Sequence, residues 1–377
     1  MRFKFLFLIA ATLVATQSFA QNSYTLKGLV KDANTGELLP FATVFFAETT
    51  YGTTSNDDGF YELKIRNEGT YDLVVKFIGY KTYVAQVKLG EAEVAEFDIF
   101  IVPDSKDLGS VVVSAEKDVN WRNNMVEFRK VFLGESENAR QCKILNEEVV
   151  DFIFDNKTNT LEAFSAEPII IENEALGYTV TYYLEQFVIE YKKNLSTYFG
   201  YTIFKEMESK NKRKVKRWED KRQTAYEGSP NHFFTSLYEN KLKDEGFVVQ
   251  RAQDVEGFGR VLDPNEALLY DSLKLGSSNI SKALPFQNIL YITFQKEFES
   301  ERYQQTAGRA PGRLSVGKIE KNKPQQSWIA MLDENRSIEF EPSGYIYNPT
   351  AYYSAGYWGF EKVAEMLPID YRPKKED

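Results

Sequence analysis

His232 is the chain's one histidine and Cys142 its one cysteine, and that scarcity decides most of the chemistry within reach. A zinc centre of the protease kind needs at least two imidazoles beside a glutamate, so ligand count excludes it. A single cysteine forms no intramolecular disulfide, which leaves packing to hold the fold. Cys142 stands in SENARQCKIL, a short helical pattern entering an apolar stretch, where a buried and inert thiol is expected. Ser229 and Pro230 precede His232, the order of an N-cap followed by proline at the first helical position. A neutral, hydrogen-bonded histidine is expected there, because an imidazolium would oppose the positive end of the helix dipole. Glycine-rich phosphate loops, zinc spacings and nucleophile elbows are absent from the sequence. No residue is therefore assigned a catalytic role, and no cofactor is expected.

Three groups of residues could bind rather than react. KNKRKVKRWEDKR, residues 210 to 222, holds eight basic residues. On a helix, Val215, Trp218, Arg222 and Tyr226 share one face, and Arg213, Lys214 and Arg217 are the candidates for docking lipopolysaccharide phosphates or an acidic partner. The plainer reading is a solvated helix face. Tyr352, Tyr353, Tyr357 and Trp358 crowd the C-terminal region, where rings could stack on a sugar or simply fill a core. Asp57 and Asp58, in Asn56-Asp57-Asp58-Gly59, invite a calcium reading, but two acids are too few for a closed site and a tight turn explains them. A carboxylate pair for glycan hydrolysis cannot be chosen among 55 acids, since its separation is set in three dimensions.

The elements that must position these residues fall into four segments. Residues 1 to 20 read as a signal peptide: Arg2 and Lys4, an apolar run from Phe5 to Val14, then Ser18-Phe19-Ala20. The mature chain is expected to start at Gln21 and to lack a transmembrane segment. Lys and Arg total 46 against 55 acids; losing Arg2 and Lys4 takes the net charge from −9 to −11, which argues against nucleic acid. From residue 21 to 103 apolar residues alternate with period two, as in Tyr61, Leu63, Ile65 and in Tyr71, Leu73, Val75, Phe77. Turns at Asn34-Thr35-Gly36, Asn56 to Gly59 and Ile78-Gly79-Tyr80 separate them, so two sheets sharing a core are expected. Residues 104 to 118 form a hinge whose Val111, Val112 and Val113 could pair with a sheet edge.

Residues 119 to 377 change character. Trp121, Met125, Phe128 and Phe132 have helical spacing, strands follow from Val150 to Phe204, and helices return at about 209 to 226 and after Ser229-Pro230. Residues 307 to 327 read as a loop or exposed hairpin. Phe360, Val363, Ala364 and Leu367 read as a last helix stopped by Pro368. The pattern points to an α+β domain with an antiparallel sheet.

The order GLVKDANTGELLPFATV, GTTSNDDGFYEL, YDLVVKFIGYKT resembles the carboxypeptidase-like regulatory domain. That resemblance implies a seven-stranded, transthyretin-like β-sandwich that is not itself catalytic. LGSVVVSA resembles the segment that follows such a domain in TonB-dependent receptors, but the residues after 118 are too few for a plug and barrel. FLGESENARQCKILNEEVVDF, AYEGSPNHFFTSLYENKLKDEGF and SGYIYNPTAYYSAGYWGFEKVAEMLPIDYRP resemble a recurrent second domain of bacterial envelope proteins without an assigned activity. The implied protein is a non-catalytic cell-envelope binding or accessory protein, periplasmic or associated with the outer membrane of a Gram-negative bacterium. Its expected partners are an envelope protein such as an outer-membrane barrel complex, and a glycan or lipopolysaccharide. The alternative is a glycan-directed, carboxylate-dependent hydrolase with its site in residues 120 to 370.

Overall fold

A computed structural model describes residues 23–90, 92–104, 119–193, 195–255, 259–262, 276–277, 281–307, 319–333 and 337–373. The signal peptide and Val111 to Val113 lie outside them.

The N-terminal part is a β domain of eight strand segments: β1 (Tyr24–Asp32), β2 (Thr43–Phe46), β3 (Gly52–Thr54), β4 (Phe60–Ile65), β5 (Gly69–Lys76), β6 (Tyr83–Leu89), β7 (Val94–Glu96) and β8 (Ile99–Ile101). One sheet places β1 between β4 and the two short parallel pieces β7 and β8; the other runs β3-β2-β5-β6. Eight segments replace the seven expected, because the edge beside β1 is broken at Phe97-Asp98. There the Phe97 amide donates to the Lys27 carbonyl (2.8 Å) and the Leu29 amide to the Asp98 carboxylate (3.0 Å). The alternating residues Leu26, Val30, Tyr61, Leu63, Ile65, Leu73, Val75, Ile99 and Ile101 meet in one core. Asn56 Oδ1 accepts from the Asp58 and Phe60 amides, so Asp57 and Asp58 sit exposed on a side-chain-closed turn.

The remainder is mostly β as well, and the single sheet expected is replaced by two sheets and a ribbon. Helix α1 (Val119–Phe132) lays Met125, Phe128 and Phe132 on the first sheet. That sheet contains β9 (Cys142–Ile144), β10 (Val150–Asp155), β11 (Thr160–Ser165), β12 (Ile169–Asn173), β13 (Tyr178–Glu190) and β14 (Leu195–Glu206). Helices α2 (Lys212–Tyr226) and α3 (Pro230–Tyr238) connect it to the second. The second sheet joins β15 (Phe247–Val255), β16 (Gly259–Leu262), β19 (Ile289–Phe298), β20 (Pro324–Met331) and β22 (Tyr352–Gly356). The ribbon pairs β17 (Gly276–Ser277), β18 (Lys282–Leu284) and β21 (Ile338–Phe340), while α4 (Glu301–Ala307) and α5 (Tyr357–Phe360) are short.

Two local expectations are corrected. Pro324 to Ser327 belong to β20 between β19 and β22, with Gln325 and Ser327 buried, so this stretch is no exposed loop. The last helix is the short α5, followed after a break by a 3₁₀ turn at Val363–Glu365. No described helix is long and apolar enough to cross a membrane.

The sandwich is built into the rest of the molecule. In β2 and β5, neighbours Phe45 and Phe46, and Val74 and Val75, are all buried, which one core cannot achieve because successive side chains point to opposite faces. The outer face of this sheet is covered by β13 and β14, with Phe45 stacked on Tyr183 at 5.2 Å between ring centroids. The Glu48 amide donates to the Thr202 carbonyl (2.7 Å) and the Phe204 amide to the Thr49 carbonyl (2.9 Å). The Ile369 amide donates to the Glu48 carbonyl (2.7 Å), and Thr50 binds the Asp370 carboxylate through its amide and hydroxyl. Buried Glu341 accepts from the Thr70 amide and from the Tyr347 hydroxyl.

Candidate functional site

These contacts enclose a cavity of about 390 Å³. Ala47, Glu48 and Asp72 of the sandwich form one wall, Phe199 to Tyr201 of β14 a second, and Ala225 to Asn231 between α2 and α3 a third; the chain from Gly344 to Ile369 closes it. Its size falls in the ordinary range for small-molecule sites, ~300–1,000 Å³.

Glu48 is held in the left-handed backbone region at φ 58°, which a residue with a side chain seldom adopts. Its amide and carbonyl are both bonded to neighbouring segments, and these bonds fix the turn. Burial pushes the Glu48 carboxyl up, and Asp72 adds to the shift. Asp72, raised by burial, accepts from the Tyr345 hydroxyl (2.7 Å). Glu365 is raised by burial too, although Ser136 and Asn138 donate to it. Glu361 is pushed well above the usual carboxylate range by burial, with Glu365 and Glu297 nearby. Neither the Glu48 nor the Glu361 carboxyl has a hydrogen-bond or ion-pair partner among the described residues. Burial draws Lys362 down, and its ammonium stands over the Tyr198 ring, 5.7 Å from the centroid.

Glu297 belongs to the same acidic neighbourhood and is raised to about 7 by burial first and then by Glu227 and Glu365. A carboxyl raised in the folded state binds more protons there than in the unfolded chain, so its stabilising contribution is complete below the unfolded value and lost as pH rises through the folded one. Between about pH 4.5 and 7, Glu297→Gln should therefore gain stability relative to the wild type as pH rises. Melting temperatures of both proteins across that window check this; a difference that stays flat contradicts it.

The sequence candidates scatter. Arg213 and Arg217 are exposed on α2, while Lys214 pairs with Glu174 (2.8 Å) and covers Trp218. Tyr352 and Trp358 line the cavity, but Trp358 is 5% exposed and packs on Phe233, Tyr357 is buried against Tyr303, and Tyr353 stands exposed. The four rings do not form one open platform. Among the described residues no three His, Cys, Asp or Glu side chains could hold a metal ion. Ser229 caps α3 by accepting from the His232 amide, and His232 is buried between Tyr226, Phe247 and Phe294. Its Nδ1 accepts from the Gly228 amide (3.1 Å), and burial lowers its pKa against the pull of Glu245. Cys142 is half-buried and pushed up to about 12 by burial and Glu365, which disfavours the thiolate form. The cavity carboxyls were missed in sequence, since no local spacing or motif marks Glu48, Glu361 or Glu365.

Comparison by sequence with known proteins reaches the N-terminal domain. TonB-dependent receptor SusC of Bacteroides thetaiotaomicron is 35% identical over 108 residues, 29% of this chain and 10% of that receptor. This chain thus spans about a tenth of that relative's length. Among solved structures, the cohesin–X-dockerin complex of Acetivibrio cellulolyticus is 18% identical, with 30% of this chain and 76% of that chain covered at a TM-score of 0.20. A DUF3823 family protein of Bacteroides uniformis is 10% identical, with 72% and 88% covered at a TM-score of 0.16. Neither score carries a fold assignment. The family described as CarboxypepD_reg-like domain matches residues 26–113, and the β domain that begins this chain is identified by that match.

Proposed function

We propose that this chain is a non-catalytic accessory protein of a bacterial cell envelope that binds a small ligand in the cavity between its β-sandwich and the remainder. In this reading residues 1–20 are a signal peptide, 21–103 the sandwich, 104–118 a hinge and 119–377 the second domain. The sandwich acts as an interaction module and also supplies one wall of the site. One observation carries the reading: a ligand-sized cavity whose walls come from segments some 300 residues apart and which contains carboxyls without partners among the described residues. The likeness of the sandwich to part of SusC supports an envelope location and an outer-membrane barrel as partner. Exposed Arg213 and Arg217 suit an acidic surface such as lipopolysaccharide.

Ala47→Trp tests it, because the indole would fill the cavity from the sandwich wall. In a thermal-shift panel of amines, oligosaccharides and short peptides, at least one compound should stabilise the wild type and lose that effect in the variant. A panel in which nothing shifts the melting temperature contradicts the reading. Glycan hydrolysis is the second reading, favoured by Glu297, raised to about 7 as suits a general acid, and by Glu361, which burial raises too. Release of reducing sugar from glycans, abolished by Glu361→Gln, would establish it instead.

A further inference from the structure

We infer that the ligand of this cavity is a small organic cation, an amine with an apolar body, recognised by Glu48 and Glu361 together with the aromatic lining. The inference rests on the binding reading above and adds the ligand's chemistry. Four carboxyls line the cavity, Glu48, Asp72, Glu361 and Glu365, against one ammonium, Lys362. Two of the four are already served: Asp72 by the Tyr345 hydroxyl, Glu365 by Ser136 and Asn138 (2.7 Å from the Asn138 amide). The other two have no partner among the described residues, and Lys362 stands over Tyr198 rather than at either of them.

Glu361 is half-buried and Glu48 stands exposed at the cavity wall, and a ligand that supplies a countercharge and a donor together satisfies such unpartnered carboxyls best. An anion would meet repulsion from the acidic lining. A neutral hydroxyl would supply a hydrogen bond but no charge. Tyr226, Tyr345, Tyr352 and Trp358 complete the lining with rings whose negative faces attract an ammonium and whose area suits an apolar body.

Calorimetric titration of the full chain with four probes tests this: phenethylamine, its neutral isostere 2-phenylethanol, phenylacetate and maltotriose. The amine should bind at least about tenfold more tightly than the alcohol, a difference of ~1.4 kcal/mol, and phenylacetate should not bind. Glu48→Gln and Glu361→Gln, near-isosteric and checked by melting temperature, should each weaken the amine about tenfold while leaving the alcohol unchanged. Equal affinity for amine and alcohol, or wild-type amine affinity in both variants, overturns the inference. Maltotriose binding that Ala47→Trp abolishes, without amine binding, overturns the cation but keeps the cavity as a binding site. Binding of none of the four overturns both.

Discussion

Replacing Arg222 by methionine is expected to lower the unfolding free energy by about 4 kcal/mol, because Arg222 is a buried clamp between α2 and the first sheet. Its Nε donates to the Leu176 carbonyl (2.7 Å) and one terminal nitrogen to the Gly177 carbonyl (2.9 Å). The other terminal nitrogen pairs with Glu206 at 3.3 Å, and the guanidinium lies 3.9 Å from the centre of the Tyr178 ring. Methionine can refill the stem's volume but leaves the Leu176 carbonyl without a donor, worth roughly 1–3 kcal/mol, takes from the Gly177 carbonyl one of two donors, the Met207 amide remaining at 2.9 Å, and removes a desolvated cation–π contact of ~2 kcal/mol. Glu206 is mostly exposed, so its ion pair adds little. Chemical denaturation of wild type and variant checks the figure; a loss below about 1 kcal/mol would contradict the clamp.

Gly28→Ala should be comparably damaging for a different reason. A Cβ at Gly28 would stand 2.1 Å from the Phe97 carbonyl oxygen, and both partners are backbone. Nothing there can rotate away: β1 is paired on both edges, and the Phe97 amide is itself bonded to Lys27. The strand must shift, at a cost of about 3 kcal/mol or more. Gly36→Ala is the control, since that glycine sits at φ 75° with nothing within 4 Å of a new Cβ. It should cost only ~1 kcal/mol, the penalty of the left-handed conformation alone. Equal effects from the two substitutions would show that the close approach of β1 to Phe97 is wrong.

Much of the sandwich was legible because burial on one face writes itself as alternation, and Tyr61, Leu63 and Ile65 follow it without exception. The α3 cap was legible for an equally local reason, Ser229 and Pro230 each having one favoured use at a helix start. Alternation could not reveal that the other face of β2 and β5 is covered too. The signal was present as unbroken apolar pairs, Phe45-Phe46 and Val74-Val75, but their cover is Tyr183 and its neighbours, more than 100 residues away. The cavity was illegible for the same reason, since it gathers Glu48 and Glu361 from opposite ends of the chain. Within the basic run, counting charges could not show partners: Lys214 and Lys216 pair with Glu174 and Asp220 and Arg222 is buried, while Arg213 and Arg217 stay exposed. Among the C-terminal aromatics, spacing could not separate Trp358 in the core from Tyr353 in solvent.

In this structure the sandwich and the rest form one folded unit around the cavity. Amide hydrogen exchange on the intact chain tests it most directly at Glu48, Thr70, Phe204 and Ile369, whose N–H groups donate across the junction. Exchange as slow as in the β2–β5 ladder is the expected result. Exchange at the rate of an open loop, with that ladder still protected, would mean that the sandwich is only tethered, and would contradict it.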